Sequence, residues 1–128
     1  MEPTTPTTTT YAVLLPGDEG AWERATAEQR AATYARHGEF SRLLAERGHQ
    51  VVGGAELAHS RTARTVRSGA DGPLVTDGPY AESVEQLSGF YLVRSDDPED
   101  LLEICTLLAD GDGGVEVRAT VDPEGDPA

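Results

Sequence analysis

Lysine is absent from this chain; all ten of its basic residues are arginine. No lysine Schiff base and no phosphate-loop lysine is therefore available. There is a single cysteine, Cys105. A disulfide within the chain is excluded, and a cysteine-based zinc site lacks ligands. No apolar run approaches the roughly 20 residues that carry a helix across a bilayer. Positive charge is scarce as well: 10 arginines stand against 23 acidic residues, for a net charge of −13. Such a surface repels nucleic-acid phosphates and anionic lipid headgroups, so neither nucleic acid nor a membrane is an expected partner. Residues 1–10 carry neither the basic nor the apolar segment of a secretory signal, and the expected location is the cytoplasm.

What is present suits one small domain: 128 residues, 38% of them hydrophobic, enough for a modest core. The Pro/Thr-rich residues 1–9 and the Asp/Pro-rich residues 122–128 have no hydrophobic pattern and are expected to be disordered tails around a folded part, 10–121. Tyr11-Ala-Val-Leu-Leu15 reads as a buried strand stopped by Pro16-Gly17. Thr26 and Gln29 form a capping-box pattern that opens a long helix over 27–47, with Phe40, Leu43, Leu44 and Arg47 on one face and Gly48 as its stop. Strands follow at 50–57, with a weak point or bulge at Gly53-Gly54, at 63–67, at 74–76 and at 88–94. Asp97-Pro98 opens a second helix, whose apolar face includes Leu101, Leu102, Ile104, Cys105 and Leu108. A glycine-rich turn at 110–114 leads to a last alternating strand, in which Val115, Val117, Ala119 and Val121 point one way. The order β-α-β-β-(β)-β-α-β predicts an α+β fold: a ferredoxin-like split βαβ with an antiparallel sheet and both helices on one face.

The string Val75-Thr-Asp-Gly-Pro-Tyr-Ala-Glu82, followed by Glu85-Gln-Leu-Ser-Gly-Phe-Tyr-Leu92, resembles the signature of the YCII-related family in its DGPF branch. The likeness extends to Tyr11 through Trp22 with Gly17-Asp18-Glu19, to Gly53-Gly54 through Leu57, to Thr62 through Arg67, and to Val115-Glu-Val-Arg118. It covers about 11–118. It implies a ferredoxin-like protomer that forms a dimeric α/β barrel with a pocket between sheet and helices. Some relatives look like small acid–base enzymes using a His–Asp pair; many DGPF members accompany extracytoplasmic-function sigma factors. This chain departs from the pattern at Tyr80, where Phe is usual. It departs again in the helix-to-strand loop Leu108–Gly114, which has neither the common Cys-Pro nor a histidine.

Asp77 is the first candidate for chemistry. A carboxylate between a strand end and a Gly-Pro turn suits a general base, although Asp also initiates turns, and Asp71-Gly72-Pro73 repeats the tripeptide in an ordinary hairpin. Tyr80 offers a hydroxyl beside Glu82 and Glu85. His37 lies close to the apolar face of the long helix, on the expected pocket wall. His59 lies in a polar loop after the second strand, where ligands commonly bind. His49, just past Gly48, reads as solvent-exposed. Asp77, His59 and His37 are thus the catalytic candidates. Tyr80, Glu82, Trp22 and Arg64 are the substrate-binding ones. No metal is expected, since no ligand spacing such as His-Glu-x-x-His occurs. Cys105 reads as a small core residue.

Two functions fit these residues. One is a cofactor-free acid–base enzyme of isomerase, cyclase or lyase type acting on a small organic substrate. The other is a non-catalytic ligand-binding or regulatory module associated with a sigma factor. Apolar positions on both sheet faces predict a homodimer in either case.

Overall fold

The computed structural model describes residues 8–109 and 113–122. The expected tails fall largely outside these residues, as does most of the glycine-rich turn. Thr9 is already part of the fold: it is buried, and it opens strand β1 (Thr9–Asp18) opposite Ser95. There follow α1 (Glu19–Arg24), α2 (Ala27–Glu46), β2 (Gln50–Glu56) and a 3-10 turn (Ser60–Thr62). The chain continues through β3 (Arg64–Gly69), β4 (Gly72–Asp77), β5 (Glu85–Ser95), α3 (Pro98–Cys105) and β6 (Glu116–Ala119).

Four strands form one antiparallel sheet in the order β2-β5-β1-β6. β1 and β2 are separated by β5 and joined through α2, which is the split βαβ plan read from the sequence. β3 and β4 form a hairpin of their own, apart from this sheet.

The local rules hold at the helix starts. Thr26 Oγ accepts from the Gln29 amide at 3.0 Å, and the Gln29 side chain accepts from the Thr26 amide at 2.9 Å. Asp97 caps α3 by accepting from the Asp100 amide, with Pro98 in the first turn. At the far end of α2, Gly48 adopts φ +86°, open to glycine and strained for other residues.

Two local expectations are corrected, and one element is new. Pro16-Gly17 does not stop β1, which runs on to Asp18 with a register shift between Leu15 and Pro16. β6 pairs only with Tyr11 through Leu14, so Pro16 stands at a free edge and at a bulge, where its missing N–H costs no ladder bond. The segment after β1 holds a short helix, α1, because Asp18 turns its side chain onto the Ala21 amide as an N-cap. Val121 is exposed, since β6 ends at Ala119.

The core lies between the sheet and the two longer helices. Val13 and Val93 from the sheet meet Phe40 and Leu44 of α2 and Leu101, Ile104 and Cys105 of α3. Val115, Val117, Tyr11, Leu15 and Tyr91 pack around them. Burial pushes the Cys105 thiol up to about 11, as a small core residue requires. Strand alternation sends Ala12, Leu14, Phe90 and Leu92 to the opposite face, where Ala12 pairs with Leu92 and Leu14 with Phe90.

Candidate functional site

β1 ends directly in the Asp18 cap, so α1 begins at the sheet end and presents Glu19 and Glu23 one turn apart on one side. The chain leaving β2 meets them. His59 caps the 3-10 turn, with its Nδ1 accepting from the Arg61 amide at 3.0 Å. Glu19 accepts from the Ser60 amide at 2.7 Å and from the Ser60 hydroxyl. Glu23 lies 3.1 Å from His59 Nε2 through one oxygen and accepts from Arg61 at 3.0 Å through the other. Two carboxylates on one helix thus clamp the tripeptide His59-Ser60-Arg61.

The electrostatics follow from these contacts. Burial by itself would raise the Glu19 carboxyl; the two Ser60 hydrogen bonds and the nearby His59 outweigh it and bring it below the usual carboxylate range. Glu23 is lowered first by its bond to Arg61. Both are therefore anionic at neutral pH. Because His59 Nδ1 accepts a backbone N–H, a neutral imidazole carries its proton on Nε2, toward Glu23. A second proton at Nδ1 would displace the Arg61 amide and face Glu19, whose nearer oxygen is 3.7 Å away.

Two open cavities adjoin this cluster. One, of about 380 Å³, is lined by Ser60, Arg61, Asp77, Glu82 and Gln86 among others. The second, of about 360 Å³, includes His59, Leu57, Tyr80 and Leu87. Ser60, Pro79 and Gln86 border both. The turn between β4 and β5 shapes them. Gly78, at φ +106°, donates its amide to Ala63 at 2.7 Å. Arg67 sits 4.8 Å from the Tyr80 ring centroid and donates to the Tyr80 carbonyl. Gln86 donates to the Ala81 and Ser83 carbonyls.

Four of the residues singled out from sequence, Asp77, His59, Tyr80 and Glu82, line this pair of cavities. The Asp77 side chain is 91% exposed and stands 3.5 Å from Arg64, itself 70% exposed. Of the other three candidates, Arg64 stands beside Asp77 but lines neither cavity, and two lie farther off. His37, on α2, has its Nδ1 2.7 Å from the Tyr91 hydroxyl of β5, between helix and sheet. Trp22 packs edge-on against Tyr34, with Arg30 over its ring. Neither His37 nor Trp22 lines the two cavities.

His49 is not solvent-exposed. It is buried, with Nδ1 2.8 Å from Ser95 Oγ and Nε2 2.8 Å from Asp100. The arrangement has the composition of a Ser-His-Asp triad, yet Ser95 is 2% exposed and no substrate can reach it. It is a clasp joining the end of α2, the end of β5 and the start of α3; Arg47 adds an ion pair to Asp100. Sequence reasoning also passed over Glu19 and Glu23. Their signal was there: an i, i+4 pair of acids directly after an Asp cap. Among the described residues, no three His, Cys, Asp or Glu side chains are grouped as a metal ion would require, and no helix is long and apolar enough to cross a membrane.

A family model described as the YCII-related domain matches residues 9–121. An uncharacterized protein of Rhizobium meliloti (strain 1021) is 32% identical over 111 residues, which covers 84% of this chain and 89% of that protein. The match begins at the first residue of β1 and ends just past β6, so it takes in the sheet, both long helices, the hairpin and the His59 cluster together: the chain belongs to the YCII-related family.

Proposed function

We propose that this protein binds a small organic molecule in the paired cavities beside Ser60 and Pro79 and moves a proton on it, with His59 as the acid–base group. The observation that carries the reading is the imidazole at the cavity wall, held between Glu23 at 3.1 Å and Glu19 at 3.7 Å. A carboxylate beside an imidazole fixes its orientation and stabilises the imidazolium formed when it takes a proton. Asp77, exposed beside Arg64, is better suited to hold ligand charge than to act as the base. Tyr80 and Glu82 supply substrate contacts from the same turn. The reaction class that suits such a pair without a cofactor is an isomerase, cyclase or lyase step.

The working unit in this proposal is a homodimer that joins the helix-free sheet faces through Ala12, Leu14, Phe90 and Leu92. Both ring nitrogens of His59 are already engaged by the protein. That observation favours a second reading, a non-catalytic ligand-binding or regulatory module of the kind that accompanies a sigma factor.

Hydrogen–deuterium exchange into a panel of carbon acids in D2O separates the two without knowing the substrate. The enzyme reading expects catalysed exchange into at least one compound, reduced about 100-fold or more by His59→Gln. Compounds that bind without any catalysed exchange select the module.

A further inference from the structure

The two cavities differ in chemistry, and their difference specifies a ligand. This inference rests on the reading of the groove as a ligand site and adds the class of molecule that fills it. In the first cavity the one cationic lining group, Arg61, is already bound by Glu23 at 3.0 Å. The two carboxylates of that lining, Asp77 and Glu82, are exposed to solvent. Asp77 has a cation beside it in Arg64, but at 3.5 Å and with both side chains in water, a pair of that kind binds weakly and exchanges readily. The first cavity is therefore a net negative site with its own arginine spent. The second cavity is walled by Leu57, Ala58, Leu87 and the Tyr80 ring. Leu57, Leu87 and Tyr80 are 41%, 45% and 77% exposed, so apolar surface stands uncovered there at a size a small ring or chain would bury. Ser60, Pro79 and Gln86 form the common border, and His59 stands on the apolar side of it.

We infer that the groove takes an amphipathic organic cation, with its ammonium between Asp77 and Glu82 and its apolar body against Leu57, Leu87 and Tyr80. The atom next to His59 is then in the middle of the ligand, between the charged head and the apolar tail. A ligand of the opposite charge would bring an anion to Glu82 and to Asp77, which only a solvated Arg64 faces at 3.5 Å, in a protein of net charge −13, an arrangement the electrostatics oppose.

The test uses a matched pair of probes, 2-phenylethylamine and 3-phenylpropionate, which share an apolar body and differ in the sign of the head. Binding is read by NMR from the His59 imidazole and Tyr80 ring resonances of the full chain. The expected result is saturable shifts of both residues with the amine, weaker binding at high salt, and no comparable response to the carboxylate. Glu82→Gln should weaken the amine about 2- to 5-fold, and Asp77→Asn with Glu82→Gln further. Glu82 is exposed and outside any helix or strand, so its variant is expected to fold even if the turn residue Asp77 does not tolerate change. Equal or tighter binding of the carboxylate overturns the cation class and leaves the groove as a site. An amine affinity unchanged by Glu82→Gln and by salt also overturns it. Absence of any shift with either probe overturns the groove reading itself.

Discussion

The three histidines of the chain occupy three different environments, and each supports its own experiment. His59 faces a cavity between carboxylates. His49 is a structural clasp: truncating it to Ala removes two hydrogen bonds at once and leaves the Ser95 hydroxyl and the Asp100 carboxylate without their ring partner. A buried group stripped of its partner loses its desolvation compensation, so His49→Ala should cost about 2–4 kcal/mol. Urea unfolding checks this, and a loss below about 1 kcal/mol would mean that the clasp contributes little. His37 is held with its proton affinity below the ordinary imidazole range, first by burial and then by Arg36, against a smaller opposing pull from Glu56. The Tyr91 hydroxyl it meets is raised by burial and stays protonated, which suits donation to a neutral Nδ1. The sign follows from linkage: just below the ordinary imidazole value the unfolded chain takes up a proton that the folded chain refuses, so stability falls as pH drops through that window. Denaturation midpoints should therefore decline from pH 7 toward pH 5, and His37→Gln should flatten that part of the curve. Carboxylate losses, as at Asp100 with its His49 and Arg47 contacts, set in only at lower pH.

The elements were legible wherever a local rule was sufficient. The capping box at Thr26, the Asp97-Pro98 start of α3, the aromatic and β-branched run of β5 and the alternation of β6 are short-range patterns, and the chain obeys them. Pro16 misled because a proline is compatible with a strand that has no partner on one side, and partnership is not a local property. β2 illustrates the same point. The Gly53-Gly54 pair reads as a weak place, and the register shift does fall between Val51 and Gly53. What the pair permits is visible only against β5: at Gly54, with φ +146°, an added Cβ would stand 2.5 Å from the Phe90 carbonyl oxygen. Gly54→Ala should therefore destabilise by about 1–3 kcal/mol through both backbone strain and backbone clash. At Gly38, where nothing lies within 4 Å of such a Cβ on an α2 helix, Gly→Ala should instead stabilise by a few tenths to about 1 kcal/mol. Thermal melts of the two variants should move in opposite directions.

For the whole molecule, the helices cover one sheet face and leave Ala12, Leu14, Phe90 and Leu92 together on the other. If a second copy covers that face, Leu14→Glu should place a charge in the joint and shift sedimentation at micromolar concentration from dimer to monomer while the far-ultraviolet circular dichroism stays native. A wild-type chain that sediments as monomer would end the dimer proposal. The sequence by itself determined the order of the main elements, the split βαβ plan, most residues of the core, though not Leu102 or Val121, which are exposed, and the family. These depend on periodicity, caps and turn chemistry, which act over a few neighbours along the chain. Tertiary structure alone decided which polar side chains meet. Glu19 and Glu23 reach His59 across some forty residues of intervening chain, His49 finds Asp100 across fifty-one, and Asp77 and His59 come to adjoining cavities while His37 turns to Tyr91. Such contacts arise where strand ends and helix starts are brought together by packing, and their energies belong to pairs distant in sequence, so no local pattern encodes them.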